Sequence, residues 1–261
     1  GLFNAGTNVG AIVCPFAVPR MYAAWGWPAT FYITGGLGIL WLLAWWRLYE
    51  TPDRHPRLSD AERDYIRAGQ PAVEAPKTSV PWLSLFRYRA VWAYVAAGIL
   101  AGPVWNIYMF FLPDFLQKHF QLDLVSVGDW TAVFYLIASF GGIAGGWLSG
   151  SLLGRGWSLN AARKLALLCC ALAVVPIFAA PSMPNVFLTV AIVGLAGSAH
   201  QGWSANLFSF VSDTMPREAI SSVVGLGGFV AYFTGGVVTE IIGEILQRTG
   251  SYASIFAAAS F

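Results

Sequence analysis

The sequence predicts an all-α membrane protein. Hydrophobic residues fill 57% of its 261 positions and charged residues only 11%, the mean hydropathy is +0.60, and the apolar residues gather into runs long enough to cross a bilayer as helices. A soluble chain of this length needs roughly 25% charged residues, whereas a chain solvated by lipid needs polar side chains only in loops and cavities. Composition therefore excludes secreted enzymes, nucleic-acid binders and disordered proteins, and a net charge of +2 offers little to a polyanion.

Seven long apolar stretches follow one another, roughly 1–24, 27–48, 90–116, 127–153, 163–181, 184–211 and 219–246. An eighth run from about 252 reaches only about half of the ~20 residues a crossing needs. Gly1 opens directly into a span with no basic segment before it, so a signal peptide is a poor reading and the chain reads as a fragment. Lys and Arg are retained on the cytoplasmic side of a membrane, which sets the orientation. The connections after spans two, four and six hold twelve of the 15 basic residues, among them Arg47, Arg54, Arg63, Arg155, Arg163, Lys164 and Arg217. The opposite side holds Arg20, Lys118 and Arg248, and is therefore the outside.

The segment 49–89 is the one long polar stretch, with Pro52, Pro56, Pro71, Pro76 and Pro81 among mixed charges, and reads as a cytoplasmic connector. Within it Ser59-Asp60-Ala61-Glu62 has capping-box spacing, and Gly69 can end the short helix that follows. Its role is open between a solvated linker and a regulatory latch.

Gly1-Leu2 recurs as Gly225-Leu226, and at the same offset Gly26 falls on Gly250, each copy pairing a Gly-rich span with a second apolar run. Two copies in the same orientation, six crossings apart, fit a parallel repeat of six-helix halves, the major facilitator arrangement. The expected fold is thus a partial major facilitator fold, about helices 5–12 of twelve. Residues 1–48 supply the last two helices of the N-terminal half, 49–89 the connector, and 90–261 the C-terminal half with its last helix cut short.

Polar residues inside spans are costly unless they meet a partner or a water-filled cavity, so they mark candidate sites. Span one places Asn4, Thr7 and Asn8 on one face, with Gly6 and Gly10 on the opposite face as a packing seam. They either show their amides to a cavity or bridge helices. Span three carries Trp105, Asn106 and Tyr108 ahead of Pro113 and Asp114; Trp105 and Tyr108 share a face while Asn106 points about 100° away, so the three do not all line one pocket. Asp114 belongs at the outer interface. In span four Gly142, Gly146, Gly150 and Gly154 recur every four residues, with Gly141 and Gly145 beside them, and read as a surface for close helix packing.

Span six holds the densest polar cluster, Ser198, His200, Gln201, Trp203, Ser204 and Asn206. His200, Trp203 and Ser204 lie within one arc, Gln201 flanks Ser204, and Asn206 lies on another side. His200 is open between a buried neutral histidine and a proton-coupling group. Tyr232 in span seven occupies the repeat position of Asn8 and is a candidate wall of the same cavity. Glu240 and Glu244, near the outer end of that span, are open between interface solvation and ion coupling. Cys14, Cys169 and Cys170 lie in apolar runs and read as packing residues, with no disulfide or metal framework. Hydrolase, zincin and nucleotide-binding motifs are absent, so no catalytic residue, cofactor or metal is expected and an enzyme is a remote alternative.

Several stretches resemble the hexuronate-transporter branch of the anion:cation symporter family in the major facilitator superfamily. They are Gly1-Leu2-Phe3-Asn4-Ala5-Gly6-Thr7-Asn8-Val9-Gly10-Ala11, Gly145-Gly146-Trp147-Leu148-Ser149 with Arg155-Gly156-Trp157-Ser158 and Ala162-Arg163-Lys164, and above all His200-Gln201-Gly202-Trp203-Ser204-Ala205-Asn206-Leu207-Phe208 with Ser212-Asp213 and Pro216. The resemblance implies twelve helices, alternating access, and proton-coupled uptake of sugar acids such as glucuronate and galacturonate across a bacterial inner membrane. It also implies that the polar stripe of span one, Gln201, Ser204 and Tyr232 face the cavity. Carriers of aldonates, aldarates or inorganic anions such as phosphate share the fold. Two departures stand out: Gly150 replaces the acidic residue of the family's cytoplasmic motif, and the family's main charged residues for coupling and carboxylate binding lie on helices one and four, outside this sequence.

Overall fold

The computed structural model describes residues 2–51, 53–68 and 81–259, except for the side chains of residues 2–7, Ser254 and Ala258. Every regular element among them is helical. Asn4, Thr7 and Gly6, proposed for the polar stripe and its seam, lie outside the described side chains, and the Gly69 helix stop lies outside the described residues.

Helix α1, Leu2–Leu48, breaks at Gly26, whose φ of 76° and ψ of 172° leave the helical region at the point where the apolar pattern divides spans one and two. The described chain forms two compact units, Met21–Ser79 and the combination of Gly1–Arg20 with Val80–Phe261. In the first, Trp41, Trp45 and Tyr49 stack along α1, with Trp45 and Tyr49 centroids 4.7 Å apart. The connector helix α2, Asp60–Ala68, starts as its capping spacing requires, the hydroxyl of Ser59 accepting from the Glu62 amide at 3.2 Å. Arg67 donates to Asp53 at 2.7 Å, and this guanidinium holds the Asp53 carboxyl below the usual carboxylate range.

The second unit continues with the single turn α3, Trp82–Leu85, and then α4, Arg89–Asn106. A π-turn, Ile107–Phe111, joins α4 to α5, Leu112–Phe120, just before Pro113, which has no N–H to offer the preceding turn. There follow α6, Leu124–Gly154, and α7, Leu159–Val174, which tightens into a 3₁₀ segment Val175–Ser182. The last elements are α8, Val186–Thr214, α9, Arg217–Thr249, and the short α10, Ala253–Ala259. Six helical stretches, 8–48, 89–120, 124–154, 159–182, 186–214 and 217–249, are long and apolar enough to cross a membrane.

In lipid the hydrophobic effect does little to hold helices together, so contact quality decides. Helices α6 and α8 meet where neither carries side-chain bulk. A Cβ on Gly141 would overlap the Ser198 carbonyl, and one on Gly145 would sit 2.5 Å from the Gly202 Cα. The hydroxyl of Ser198 donates across the seam to the Ile137 carbonyl at 2.5 Å. The sequence offers two neighbouring sets of glycines for this surface, Gly141 with Gly145 and the longer stripe Gly142, Gly146, Gly150 and Gly154. These four face open space, because α8 lies against the glycines one position earlier, about 100° around α6. Helices α4 and α9 approach in the same way: Gly227 accommodates the Tyr94 ring, and Gly102 accommodates the backbone of Ala231.

At the outer end Phe115 packs edge-on against Phe256 and Tyr252, with centroids 5.0 and 5.1 Å away. Asp114 accepts from the Tyr252 hydroxyl and from Lys118. Burial, then that hydrogen bond and charge, raise the Tyr252 phenol above its ordinary value.

Candidate functional site

The α4–α9 and α6–α8 seams leave a cavity of about 380 Å³ between α4, α8 and α9, with α1 at its edge. Helix α4 presents Tyr94, Gly98, Ala101, Gly102, Trp105 and Asn106, a stripe that recurs at helical spacing from residue 94 onward. From α8 come His200, Gln201, Trp203, Ser204, Leu207 and Phe208; from α9, Val224, Gly227, Gly228, Ala231 and Tyr232; from α1, Asn8. The glycines that let the helices approach also leave room between the larger side chains. None of these lining residues is Asp, Glu, Lys or Arg.

The wall of the cavity is ordered by ring contacts. His200 stacks on Trp105, with centroids 5.3 Å apart and planes 19° from parallel, while Tyr108 meets it edge-on at 6.4 Å and Trp203 flanks it at 6.4 Å. Gln201 reaches the first helix, its Nε2 donating to Asn8 Oδ1 at 3.3 Å. Asn106 lies against Gly235, where a Cβ would come within 2.6 Å of its Nδ2. Amides, a hydroxyl and aromatic faces thus converge on an uncharged space, which suits a polyhydroxylated ligand: amides pair with hydroxyls, and rings cover its apolar face.

Of the residues singled out from the sequence, the cavity brings together Asn8, Asn106, His200, Gln201, Trp203, Ser204 and Tyr232. Two others lie elsewhere. Tyr108 is 1% exposed and packed against Phe134 and Trp105, because Phe134 of α6 lies against the flank it shares with Trp105. Asn206 is also 1% exposed and belongs to a polar junction near the cytoplasmic ends of α6, α7 and α8. It donates to the carbonyls of Gly145 at 3.0 Å and Gly202 at 2.9 Å, and accepts from Arg163 at 3.1 Å. Arg163 also donates to Ser149 at 3.0 Å and pairs with Asp213 at 3.0 Å.

The sequence does not single out Tyr94, and it offers Ser149, Arg163 and Asp213 only in three separate stretches. Tyr94 was signalled by its place one turn before Gly98 on the stripe that ends at Trp105. That these three meet has no local signal, since they come from three helices. Glu244 pairs with Arg248 at 2.6 Å on the surface of α9, and Glu240 is exposed. No group of His, Cys, Asp and Glu among the described residues has the arrangement of a metal site.

Comparison with known proteins agrees with this architecture. The family model described as Major Facilitator Superfamily matches residues 1–239. The hexuronate transporter of Escherichia coli (strain K12) is 28% identical over 263 residues, covering 98% of this chain and 60% of that protein. The D-galactonate transporter of Escherichia coli O6:H1 is 27% identical over 262 residues, covering 96% of this chain and 60% of that protein. The chain therefore spans about three-fifths of the length of these curated relatives. A solved bacterial homolog of the human lysosomal transporter Spinster, in an inward-facing and unoccupied conformation, matches with a TM-score of 0.62 at 16% identity, over 96% of this chain and 58% of that one, which speaks to the fold.

Proposed function

Because the chain belongs to the major facilitator superfamily, we propose that it forms the greater part of a proton-coupled secondary transporter that takes up sugar acids, hexuronates such as glucuronate and galacturonate, across a bacterial inner membrane. The observation that carries this reading is the uncharged cavity between α1, α4, α8 and α9, where Asn8, Asn106, Gln201 and Ser204 offer hydrogen bonds beside Trp105, Trp203 and Tyr232. In this proposal residues 1–48 close the N-terminal six-helix half, 49–89 join the halves, and 90–261 belong to the C-terminal half.

The division of labour follows from the chemistry of the wall. Its amides and hydroxyl read the hydroxyl groups of the sugar acid, and its rings cover the sugar's apolar face. A carboxylate entering this space needs a cation from elsewhere, since an unpaired charge out of water is costly. In the proposal the N-terminal helices supply that cation. His200, ringed by Trp105, Tyr108 and Trp203, is the one imidazole in this wall, and its assignment to coupling is part of the same proposal.

A second reading, transport of aldonates, is favoured by the similarity to a D-galactonate transporter. Uptake of labelled glucuronate by cells expressing the full-length protein, with galacturonate, galactonate and phosphate as competitors, separates the two. Saturable, protonophore-sensitive uptake blocked by galacturonate supports the hexuronate reading. Blockage by galactonate alone moves the substrate to an aldonate, and blockage by phosphate alone moves it to an inorganic anion.

A further inference from the structure

Helix α1 meets α6 closely at Gly128, and the local sequence is built for it. Residue 19 is a proline and has no N–H, so the Pro15 carbonyl one turn earlier lacks its helical partner. This carbonyl points at Gly128 of α6, where a Cβ would overlap it and would also lie 2.7 Å from Pro19 Cγ. A Cα–H···O contact of this kind recurs where helices cross without side chains between them. One turn further along α1, Arg20 grips the residue after Gly128: its Nη1 donates to Asp129 Oδ1 at 2.6 Å and its Nη2 to Oδ2 at 2.8 Å. The guanidinium is aimed by the Phe16 carbonyl, 2.8 Å away, and by the Phe16 ring, 3.9 Å from its centroid.

The distribution of basic residues puts this closed end outside. We propose that the Arg20–Asp129 pair, seated on the Pro15–Gly128 contact, is a latch that holds the outer side of the cavity shut, and that its parting admits substrate from outside. The inference rests on the reading of the chain as an alternating-access carrier. The pair has the properties of a latch rather than of a core contact. Its bidentate geometry fixes register, while side chains 39% and 41% exposed leave it weak enough to break within a transport cycle.

The test uses the full-length protein in right-side-out vesicles, stripped of its native cysteines and carrying Ser204→Cys as a reporter on the cavity wall. Arg20→Asp and Asp129→Arg, each alone, place like charges opposite one another. Each should raise the rate at which a membrane-impermeant maleimide added outside labels position 204, by roughly two- to fivefold for a pair of this exposure. The double swap, Arg20→Asp with Asp129→Arg, should return the rate to that of the parent. Equal labelling in the parent and both single variants overturns the latch, as does a double swap that labels as fast as the singles. Glucuronate uptake, measured on the same swaps with Ser204 intact, reads the transport proposal separately: latch-dependent labelling without uptake of any organic anion would defeat that proposal and leave the latch.

Discussion

The Gln201 side chain of α8 donates to the Asn8 side chain of α1 at 3.3 Å, across 193 positions of sequence. Each amide satisfies the other at the rim of the cavity, and neither is bonded so fully that it cannot turn to a ligand, since an amide has four hydrogen-bonding positions. Gln201→Ala should therefore weaken sugar-acid affinity by about 1–3 kcal/mol, read as a raised KM with a smaller change in the maximal uptake rate. Asn8→Ala should act in the same direction.

Asn206→Ala should behave differently. Asn206 is buried away from the cavity and holds Arg163 and the carbonyls of Gly145 and Gly202. Its loss strands polar partners at a cost of about 1–3 kcal/mol. The melting temperature of the purified protein should fall while KM stays near the parent value.

Gly141→Ala forces apart the α6–α8 seam, because the new methyl group overlaps the Ser198 carbonyl. Overpacking of this kind costs about 1–3 kcal/mol. Gly142→Ala, one position on, meets open space and should leave the stability within about 0.5 kcal/mol of the parent, with a correspondingly unchanged melting temperature. The pair of variants tests which glycine stripe bears the contact.

Tyr252→Phe removes the donor to Asp114 in the first turn of α5. Below the ordinary tyrosine pKa of about 10 the phenol is protonated in both the folded and unfolded states, so its stabilisation is fully present there. Because burial and Asp114 raise the folded value, that stabilisation is lost as pH rises from the unfolded value through the folded one. The parent should lose melting temperature above pH ~10, and Tyr252→Phe should lose less over the same range.

These contrasts mark how far the sequence could be read. Apolar run lengths located the helices, and Gly26 marked the break in α1, because helix termination and lipid burial are local properties. The faces of α8 were legible for the same reason: His200, Trp203 and Ser204 follow helical spacing without interruption, which also put Asn206 on its own side. Choosing between Gly141–Gly145 and Gly142–Gly146 was beyond reach, because both stripes have the same period and only the shape of α8 at Ser198 and Gly202 decides between them. Tyr108 keeps the flank it shares with Trp105, but its burial depends on Phe134 of a different helix, which one helix's spacing does not contain. The Arg163 junction needed three helices, and the Arg20–Asp129 pair two, to be placed in space before either could be seen.

The most direct test of the central claim is the shift in melting temperature that glucuronate produces in the purified full-length protein, compared with Gln201→Ala, Ser204→Ala and Asn206→Ala. A ligand that binds the folded state raises its stability in proportion to the logarithm of occupancy. A clear upward shift is expected for the parent and for Asn206→Ala, and a shift reduced or lost in Gln201→Ala and Ser204→Ala. A full shift in both cavity variants would contradict the placement of the sugar acid between α1, α4, α8 and α9.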